Sequence, residues 1–100
     1  MGLSDKRVYK RQPIATPVVL VSGETRTDGI AKDISLGGMF IETAGPLPYG
    51  TRFVVEIKLR ALQELSKIDA IVRWAGPNGM GVQFGSLRAK ETWAINQLVK

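Results

Sequence analysis

The alternation of apolar and polar residues in the second half of the chain constrains the fold most. Apolar residues occupy every second position from Phe53 to Leu59, and the same pattern returns from Ile68 to Trp74. Successive side chains of a β-strand point to opposite faces, so a period of two is typical of a strand with one buried face. The two segments therefore predict two strands, and residues 61–66 join them as a loop or a single turn.

Further strands are predicted from shorter segments that are rich in β-branched and apolar residues. They cover Ile14–Val21, Thr27–Ile34, Met39–Thr43 and Met80–Phe84, with turn-forming residues between them. Pro17 has no backbone N–H, which favours an edge position or a bulge within the first of these strands.

The end of the chain changes to a helical period. Apolar residues between Leu87 and Val99 recur at spacings of three, four and seven, which is typical of an amphipathic helix, and Ser86 can cap its first turn. Six predicted strands followed by one helix indicate a mainly β fold, either an antiparallel barrel or a sandwich, with the helix packed on an end or a face.

The composition excludes several function classes. The chain has 100 residues, enough for one domain with one modest core, and it contains neither cysteine nor histidine. The absence of cysteine excludes disulfides and thiolate metal sites, and the absence of histidine removes the commonest general base. No pair of acidic residues is spaced for acid/base catalysis. We therefore expect no enzyme, metal site or cofactor. Because the chain has no long apolar run and no secretory signal, we expect a cytoplasmic protein with no membrane partner.

Basic residues are concentrated near the N-terminus. The net charge is +5 at pH 7, and Lys6, Arg7, Lys10 and Arg11 fall within six positions, opposed only by Asp5. This distribution favours an anionic partner. The segment has no periodicity, which predicts a mobile arm, although a solvated basic tail has the same composition.

Two short motifs contain the residue types that bind a guanine nucleotide. The first is Arg7-x-x-x-Arg11, and the second is Asp33-x-Ser35-x-x-Gly38, in the turn between the second and third predicted strands. In the first motif, the forked guanidinium groups of arginine fit phosphate oxygens or the O6/N7 edge of guanine. In the second motif, the carboxylate can accept hydrogen bonds from ring N–H groups and the hydroxyl can bond a phosphate oxygen. The glycine allows a ligand to approach the backbone closely. Each motif also has a structural interpretation, as a basic tail and as an Asx-type turn that closes a hairpin.

With both motifs in this order, the sequence resembles the PilZ domain family of cyclic di-GMP receptors. The resemblance extends from Lys6 through the Gly79–Phe84 strand and the closing helix. It implies a single domain with a six- to seven-stranded antiparallel split β-barrel and a C-terminal helix. Residues 1–13 would form the mobile ligand-binding arm, residues 14–85 the barrel and residues 86–100 the helix.

The resemblance also implies roles for particular residues. Arg7 and Arg11 match the family's RxxxR motif, which grips guanine edges and phosphates when the arm folds over the ligand. Asp33, Ser35 and Gly38 match its (D/N)xSxxG motif, which completes the pocket from the barrel surface. None of these positions carries a substitution.

The weaker ligand-binding candidates are Lys6, Lys10, Gly37, Arg73 and Trp74. Lys6 precedes the first motif arginine, a position that the family links to binding of one nucleotide or an intercalated pair, and a basic residue there favours the pair. Arg73 can meet a phosphate or lie on a solvated strand face. Trp74 alternates with core residues, which favours packing in the core over stacking on a base, and Trp93 is expected to pack between the helix and the barrel.

These features together predict a cyclic di-GMP receptor. The nucleotide is expected to order the arm and to change a surface that a downstream protein contacts, with motility, pilus or exopolysaccharide production as the output. Two alternatives stay open. One is a PilZ adaptor that binds protein but no nucleotide. The other is a small basic barrel that binds single-stranded nucleic acid. The lack of interleaved basic and aromatic residues on one strand face argues against the second alternative.

Overall fold

The computed structural model describes residues 10–99. In chain order these residues form β1 Gln12–Ser22, β2 Thr25–Ile34, β3 Gly38–Glu42, β4 Arg52–Ile57, β5 Ser66–Ala75, β6 Gly79–Phe84 and α1 Ala89–Val99. The strands close into a barrel in the order β1-β2-β3-β6-β5-β4, and every neighbouring pair is antiparallel. The prediction of a mainly β antiparallel barrel with a C-terminal helix is confirmed.

Two ladders between strands distant in sequence close the barrel. Strand β3 pairs with β6 along its whole length, and residues Val18–Val21 of β1 pair with Val54–Ile57 of β4. Alternate side chains point inward, as the period of two in the sequence requires. The buried apolar side chains are Val18, Leu20, Ala31, Ile34, Met39, Ile41, Phe53, Val55, Ile57, Leu59, Ile68, Ala70, Val72, Met80, Val82, Phe84, Ala94 and Ile95.

The first strand begins at Gln12, two residues earlier than the predicted Ile14. Its pairing with β2 shifts register between Pro13 and Thr16, so a bulge lies close to Pro17. Pro17 itself lies beyond the β1–β4 ladder, which begins at Val18. A proline fits there because no ladder hydrogen bond to β4 needs its missing N–H.

The start of the helix differs from the prediction. Helix α1 begins at Ala89, and Ser86 is too far from it to cap the first turn. Arg88 occupies the cap position instead, since its carbonyl accepts hydrogen bonds from the N–H groups of Glu91 and Thr92, both at 3.0 Å. The Glu91 carboxylate in turn accepts hydrogen bonds from the Arg88 N–H at 3.2 Å and from its guanidinium at 2.5 Å. The Glu91 carboxylate thus supplies one half of a capping box, because it accepts from the N–H of the cap residue, while the Arg88 side chain, which only donates, does not supply the other half.

The predicted contact of Trp93 with the barrel is wrong. The helix buries Glu91, Ala94 and Ile95, whereas the Trp93 side chain is 53% exposed. At 3.6 residues per turn, a residue two positions from both Glu91 and Ile95 lies on the opposite side of the helix. Within residues 10–99, no helix has the length and apolar character needed to cross a bilayer.

Candidate functional site

Strand register aligns four residues across the outer face of the barrel. Asp33 on β2 pairs with Phe40 on β3, Phe40 pairs with Gly81 on β6, and Gly81 pairs with Trp74 on β5. Directly paired residues of antiparallel strands point to the same face, and neighbouring strands lie about 4.8 Å apart, so this row extends over about 14 Å. We call these four residues the outer row.

Trp74 reaches the outer row because β5 contains a bulge. Val72 pairs with Val82 and Trp74 with Gly81, so two steps along β5 correspond to one step along β6 and Arg73 is the extra residue. A bulge of this kind inverts the alternation of the residues that follow it. Trp74 therefore points outward and is 54% exposed, and the prediction that it packs in the core is wrong.

Phe40 and Trp74 form an aromatic pair on the outer face. Their rings are stacked with centroids 5.5 Å apart and an interplanar angle of 19°. Glycines of β6 make room for both rings: a Cβ at Gly81 would lie 2.2 Å from Nε1 of Trp74, and one at Gly79 would lie 2.6 Å from Cζ of Phe40. The result is an aromatic surface with one half-exposed ring, which is suited to stacking on a flat ligand.

Sequence reasoning missed Phe40 as a site residue. The available signal was the spacing of Gly79 and Gly81, which leaves the outward face of β6 without side chains up to Gln83. That spacing does not say which aromatic residue covers the glycines, because the answer depends on the register of β3 and β5 against β6.

Arg11 joins the N-terminal segment to the outer row. Its Nη2 donates a hydrogen bond to Oδ1 of Asp33 at 2.8 Å, and its Nε lies 3.5 Å from Oδ2 of the same carboxylate. Asp33 Oδ1 also accepts a hydrogen bond from the N–H of Phe40 at 3.0 Å. Both charged side chains keep contact with solvent, at 46% exposed for Arg11 and 29% for Asp33. The carboxylate is therefore fixed by the strand next to it and is accessible from outside.

Ser35 and Gly38 shape the turn between β2 and β3. The Ser35 hydroxyl accepts hydrogen bonds from the N–H groups of Gly37 at 3.1 Å and Gly38 at 3.2 Å, and Ser35 is only 1% exposed. A Cβ at Gly38 would lie 2.0 Å from the carbonyl oxygen of Val82, so only glycine lets β3 approach β6 this closely. The structure gives both residues a role in the turn, and their contact with a ligand stays a prediction.

The other candidates lie in different places. Lys10 is exposed at the start of the described chain, and Gly37 lies within the β2–β3 turn. Arg73 is exposed on the bulge, where its Nε donates a hydrogen bond to Oε1 of Gln83 at 2.7 Å. Lys6 and Arg7 lie outside the described residues, as does most of the predicted arm.

Comparison with known proteins gives a family and a set of similar folds. The family model described as PilZ domain matches residues 5–100 of the chain. The search of curated proteins gives no match.

Solved structures with a similar fold include three bacterial proteins. The Bacillus subtilis inhibitor of motility, MotI/DgrA, has a TM-score of 0.74 and 22% identity, covering 93% of this chain and 49% of that one, so the chain spans about half its length. The PilZ domain of CeSA from a cellulose-synthesising bacterium has a TM-score of 0.71 and 22% identity, and the match covers 89% of this chain and 93% of that one. The PilZ domain of Escherichia coli YcgR, solved with cyclic di-GMP, has a TM-score of 0.72 and 16% identity, and the match covers 95% of this chain and 89% of that one. At such low identities the similarity shows the fold alone.

Proposed function

The chain belongs to the PilZ domain family, and we propose that it is a receptor for cyclic di-GMP rather than an enzyme. The observation that carries the proposal is the outer row, in which the Arg11–Asp33 ion pair lies at one end and the Phe40–Trp74 aromatic pair at the other. Cyclic di-GMP offers the matching groups, since it combines guanine bases with anionic phosphates.

Each part of the outer row has a chemical counterpart in the ligand. The Asp33 carboxylate can accept hydrogen bonds from the ring and exocyclic N–H groups of a guanine, whereas the Arg11 guanidinium can donate to guanine O6 and N7 or to a phosphate. Stacking of a base on an exposed aromatic ring contributes about 1–3 kcal/mol in single-strand nucleic-acid binders. The ring of Trp74 is half-exposed beside Phe40 and is therefore accessible to a base.

The N-terminal segment is the proposed switch. Arg11 already pairs with Asp33 of the outer row, and Arg7, one motif spacing earlier, is proposed to add a second fork when the ligand binds. Fixing a residue's backbone costs about 1–2 kcal/mol, whereas a hydrogen bond to a charged group contributes about 1.5–3 kcal/mol, so several bonds must form together. Closure of the arm over the nucleotide would then change a surface for a downstream protein, with motility, pilus or exopolysaccharide production as the output.

A second candidate function is binding of single-stranded nucleic acid. The Phe40–Trp74 pair, formed by residues of β3 and β5 on the outer face of the sheet, supplies with the neighbouring Arg73 the combination of aromatic and basic groups that such binders use. It differs from the first proposal in two measurable ways. Affinity would tolerate any base sequence, and it would fall steeply with salt.

Tryptophan fluorescence tests the proposal directly. The chain contains two tryptophans, so Trp93→Phe leaves Trp74 as the single reporter and Trp74→Phe leaves only Trp93 on the far side of the helix. We expect saturable quenching by cyclic di-GMP in Trp93→Phe and none in Trp74→Phe, with GTP and an oligothymidylate as competitors. Unchanged Trp74 emission at millimolar cyclic di-GMP would refute the receptor proposal, and quenching by the oligonucleotide alone would favour the second candidate.

A further inference from the structure

The bulge in β5 places Arg73 next to the outer row, as a second arginine besides Arg11. Arg73 is the extra residue of the bulge, so it and Trp74 both point outward instead of alternating. Its Nε donates a hydrogen bond to the side-chain oxygen of Gln83 at 2.7 Å. A neutral amide therefore fixes the direction of the guanidinium without neutralising its charge.

Gln83 holds this guanidinium close to the outer row. Gln83 pairs with Gly38 of β3 on one side and with Ile71 of β5 on the other, in the row next to the one that contains Phe40 and Trp74. Gly38 and Gly81 have no side chains that could cover the surface between the two rows. The hydrogen bond from Nε therefore directs the Arg73 guanidinium toward the Gln83 row, on the side of the β2–β3 turn.

The charge of Arg73 differs from that of the other arginine at the site. Arg11 is paired with Asp33 at 2.8 Å, whereas Arg73 has no carboxylate within ion-pairing distance among residues 10–99. Its two terminal amino groups have no hydrogen-bond acceptor within that part of the chain. An arginine with its Nε occupied by an amide and both amino groups open presents the fork that binds phosphate oxygens.

We propose that Arg73 is a phosphate-binding residue for a nucleotide whose base lies on the Phe40–Trp74 pair, and that Gln83 is the positioning residue that aims its guanidinium. This inference rests on the proposed function and adds a contact from the barrel wall that neither sequence motif contains. The outer row then binds the ligand from two sides, with Arg11 at the β2 end and Arg73 at the β5 end.

Lysine at position 73 would not be equivalent. It would keep the positive charge but lose both the fork and the Nε hydrogen bond to Gln83. We therefore expect Arg73→Lys to keep most of the salt dependence of binding while losing affinity. Gln83→Leu, which keeps a similar volume but removes the acceptor, should weaken binding less than loss of the arginine does, with the salt dependence retained.

The test is a fluorescence titration with cyclic di-GMP in the Trp93→Phe background at several salt concentrations. Arg73→Gln should raise Kd about ten-fold or more and flatten its dependence on salt, because a charged contact with the ligand has been removed. The matched control is Arg60→Gln, which removes the same charge from the loop after β4 and should leave both quantities unchanged. Urea unfolding of each variant excludes a loss caused by misfolding.

The outcomes separate this inference from the proposed function. If the Trp93→Phe parent binds cyclic di-GMP and Arg73→Gln binds with the same Kd and salt dependence as Arg60→Gln, the inference is wrong and the receptor proposal stands. If the parent does not bind, both fail. A ten-fold loss specific to Arg73→Gln, with a flattened salt dependence, supports the inference.

Discussion

Within the segment from Asp33 to Gly38, the carboxylate and the hydroxyl face opposite ways. Asp33 points outward and meets Arg11, whereas the Ser35 hydroxyl is buried and accepts hydrogen bonds from two backbone N–H groups of its own turn. The motif therefore combines the Asp33 carboxylate, which is accessible to a ligand, with the Ser35 hydroxyl, which holds the turn in place. Stability and affinity should respond differently to changes at the two positions.

We expect Ser35→Ala to reduce the free energy of unfolding by about 1–3 kcal/mol, because it leaves the N–H groups of Gly37 and Gly38 without an acceptor. Asp33→Asn should cost only about 0–1 kcal/mol, since the exposed ion pair with Arg11 contributes little and the amide oxygen can still accept from Phe40. Asp33→Asn should nevertheless weaken cyclic di-GMP binding strongly. Urea unfolding and a binding titration of both variants measure the two effects, and a Ser35→Ala protein as stable as wild type would contradict this account of the turn.

At the scale of the strand, β6 depends on glycine in two distinct ways. A Cβ at Gly38 of the neighbouring strand would meet the β6 backbone at 2.0 Å, whereas a Cβ at Gly81 would meet the Trp74 ring at 2.2 Å. A backbone ladder has to separate to relieve the first clash, but an exposed ring can swing away to relieve the second. The same substitution should therefore have different consequences at these two positions.

Gly38→Ala should destabilise the barrel by at least the roughly 1–3 kcal/mol that is typical of overpacking. Gly81→Ala should cost only the stacking of Phe40 on Trp74, about 0.5–1.5 kcal/mol, while lowering affinity for cyclic di-GMP because the aromatic surface is disrupted. Urea unfolding, with Trp74 emission in the Trp93→Phe background, distinguishes the two. Equal losses of stability would show that the ring cannot move and would contradict this expectation.

The helix start should make stability depend on pH. The guanidinium of Arg88, through its hydrogen bond to Glu91, holds the pKa of that carboxyl below its usual value. The stabilisation is therefore fully present above the ordinary pKa of an unfolded glutamate, about 4.3, and is lost as the pH falls through the lower pKa of Glu91 in the folded protein. Glu91→Gln should cost about 1 kcal/mol at pH 7, because the hydrogen bonds from Arg88 then go to a neutral amide instead of a carboxylate, and the difference from wild type should shrink at acid pH.

Urea unfolding from pH 7 down to pH 3 measures this dependence. The matched control is Glu64→Gln, because Glu64 also pairs with a basic residue, Lys90 at 2.7 Å, but is 72% exposed. It should leave stability almost unchanged at every pH. A constant difference between wild type and Glu91→Gln across the range would contradict the assigned role of the carboxylate.

The elements could be predicted from the sequence much better than the contacts between them. The period of two from Phe53 to Trp74 predicts both strands, because one face of each is buried in the core. The same period gives the wrong face for Trp74, since the extra residue of the bulge is defined only by pairing with β6. The meeting of Asp33 with Phe40 likewise depends on register, which a local pattern does not contain. Arg11 and Asp33 were predicted as site residues from their motifs, whereas Phe40 and Gln83 carry no motif of their own.

For the whole molecule, the outer row exists only when the barrel is closed. Its residues come from β2, β3, β5 and β6, and they are separated by up to half of the chain. The unfolded chain cannot assemble them, so a ligand of the outer row binds the folded state alone. Binding must therefore stabilise the fold by mass action.

Cyclic di-GMP at a hundred times its Kd should add about 2.7 kcal/mol to the free energy of unfolding. For a domain of this size that corresponds to a rise in Tm of roughly 10–20 °C. Differential scanning calorimetry at increasing ligand concentration measures the shift, with GMP as the control nucleotide. The Asp33→Asn variant should show a much smaller rise at the same ligand concentration, and an equal rise would remove Asp33 from the site.

Calorimetric titration of cyclic di-GMP into wild type, Arg11→Ala and Arg60→Ala tests whether the outer row and the N-terminal arginines form one cyclic di-GMP site. We expect saturable binding to wild type and to Arg60→Ala, with the stoichiometry deciding between one nucleotide and a pair, and loss of binding in Arg11→Ala. No heat of binding with the wild-type protein, or equal binding by Arg11→Ala, would contradict it.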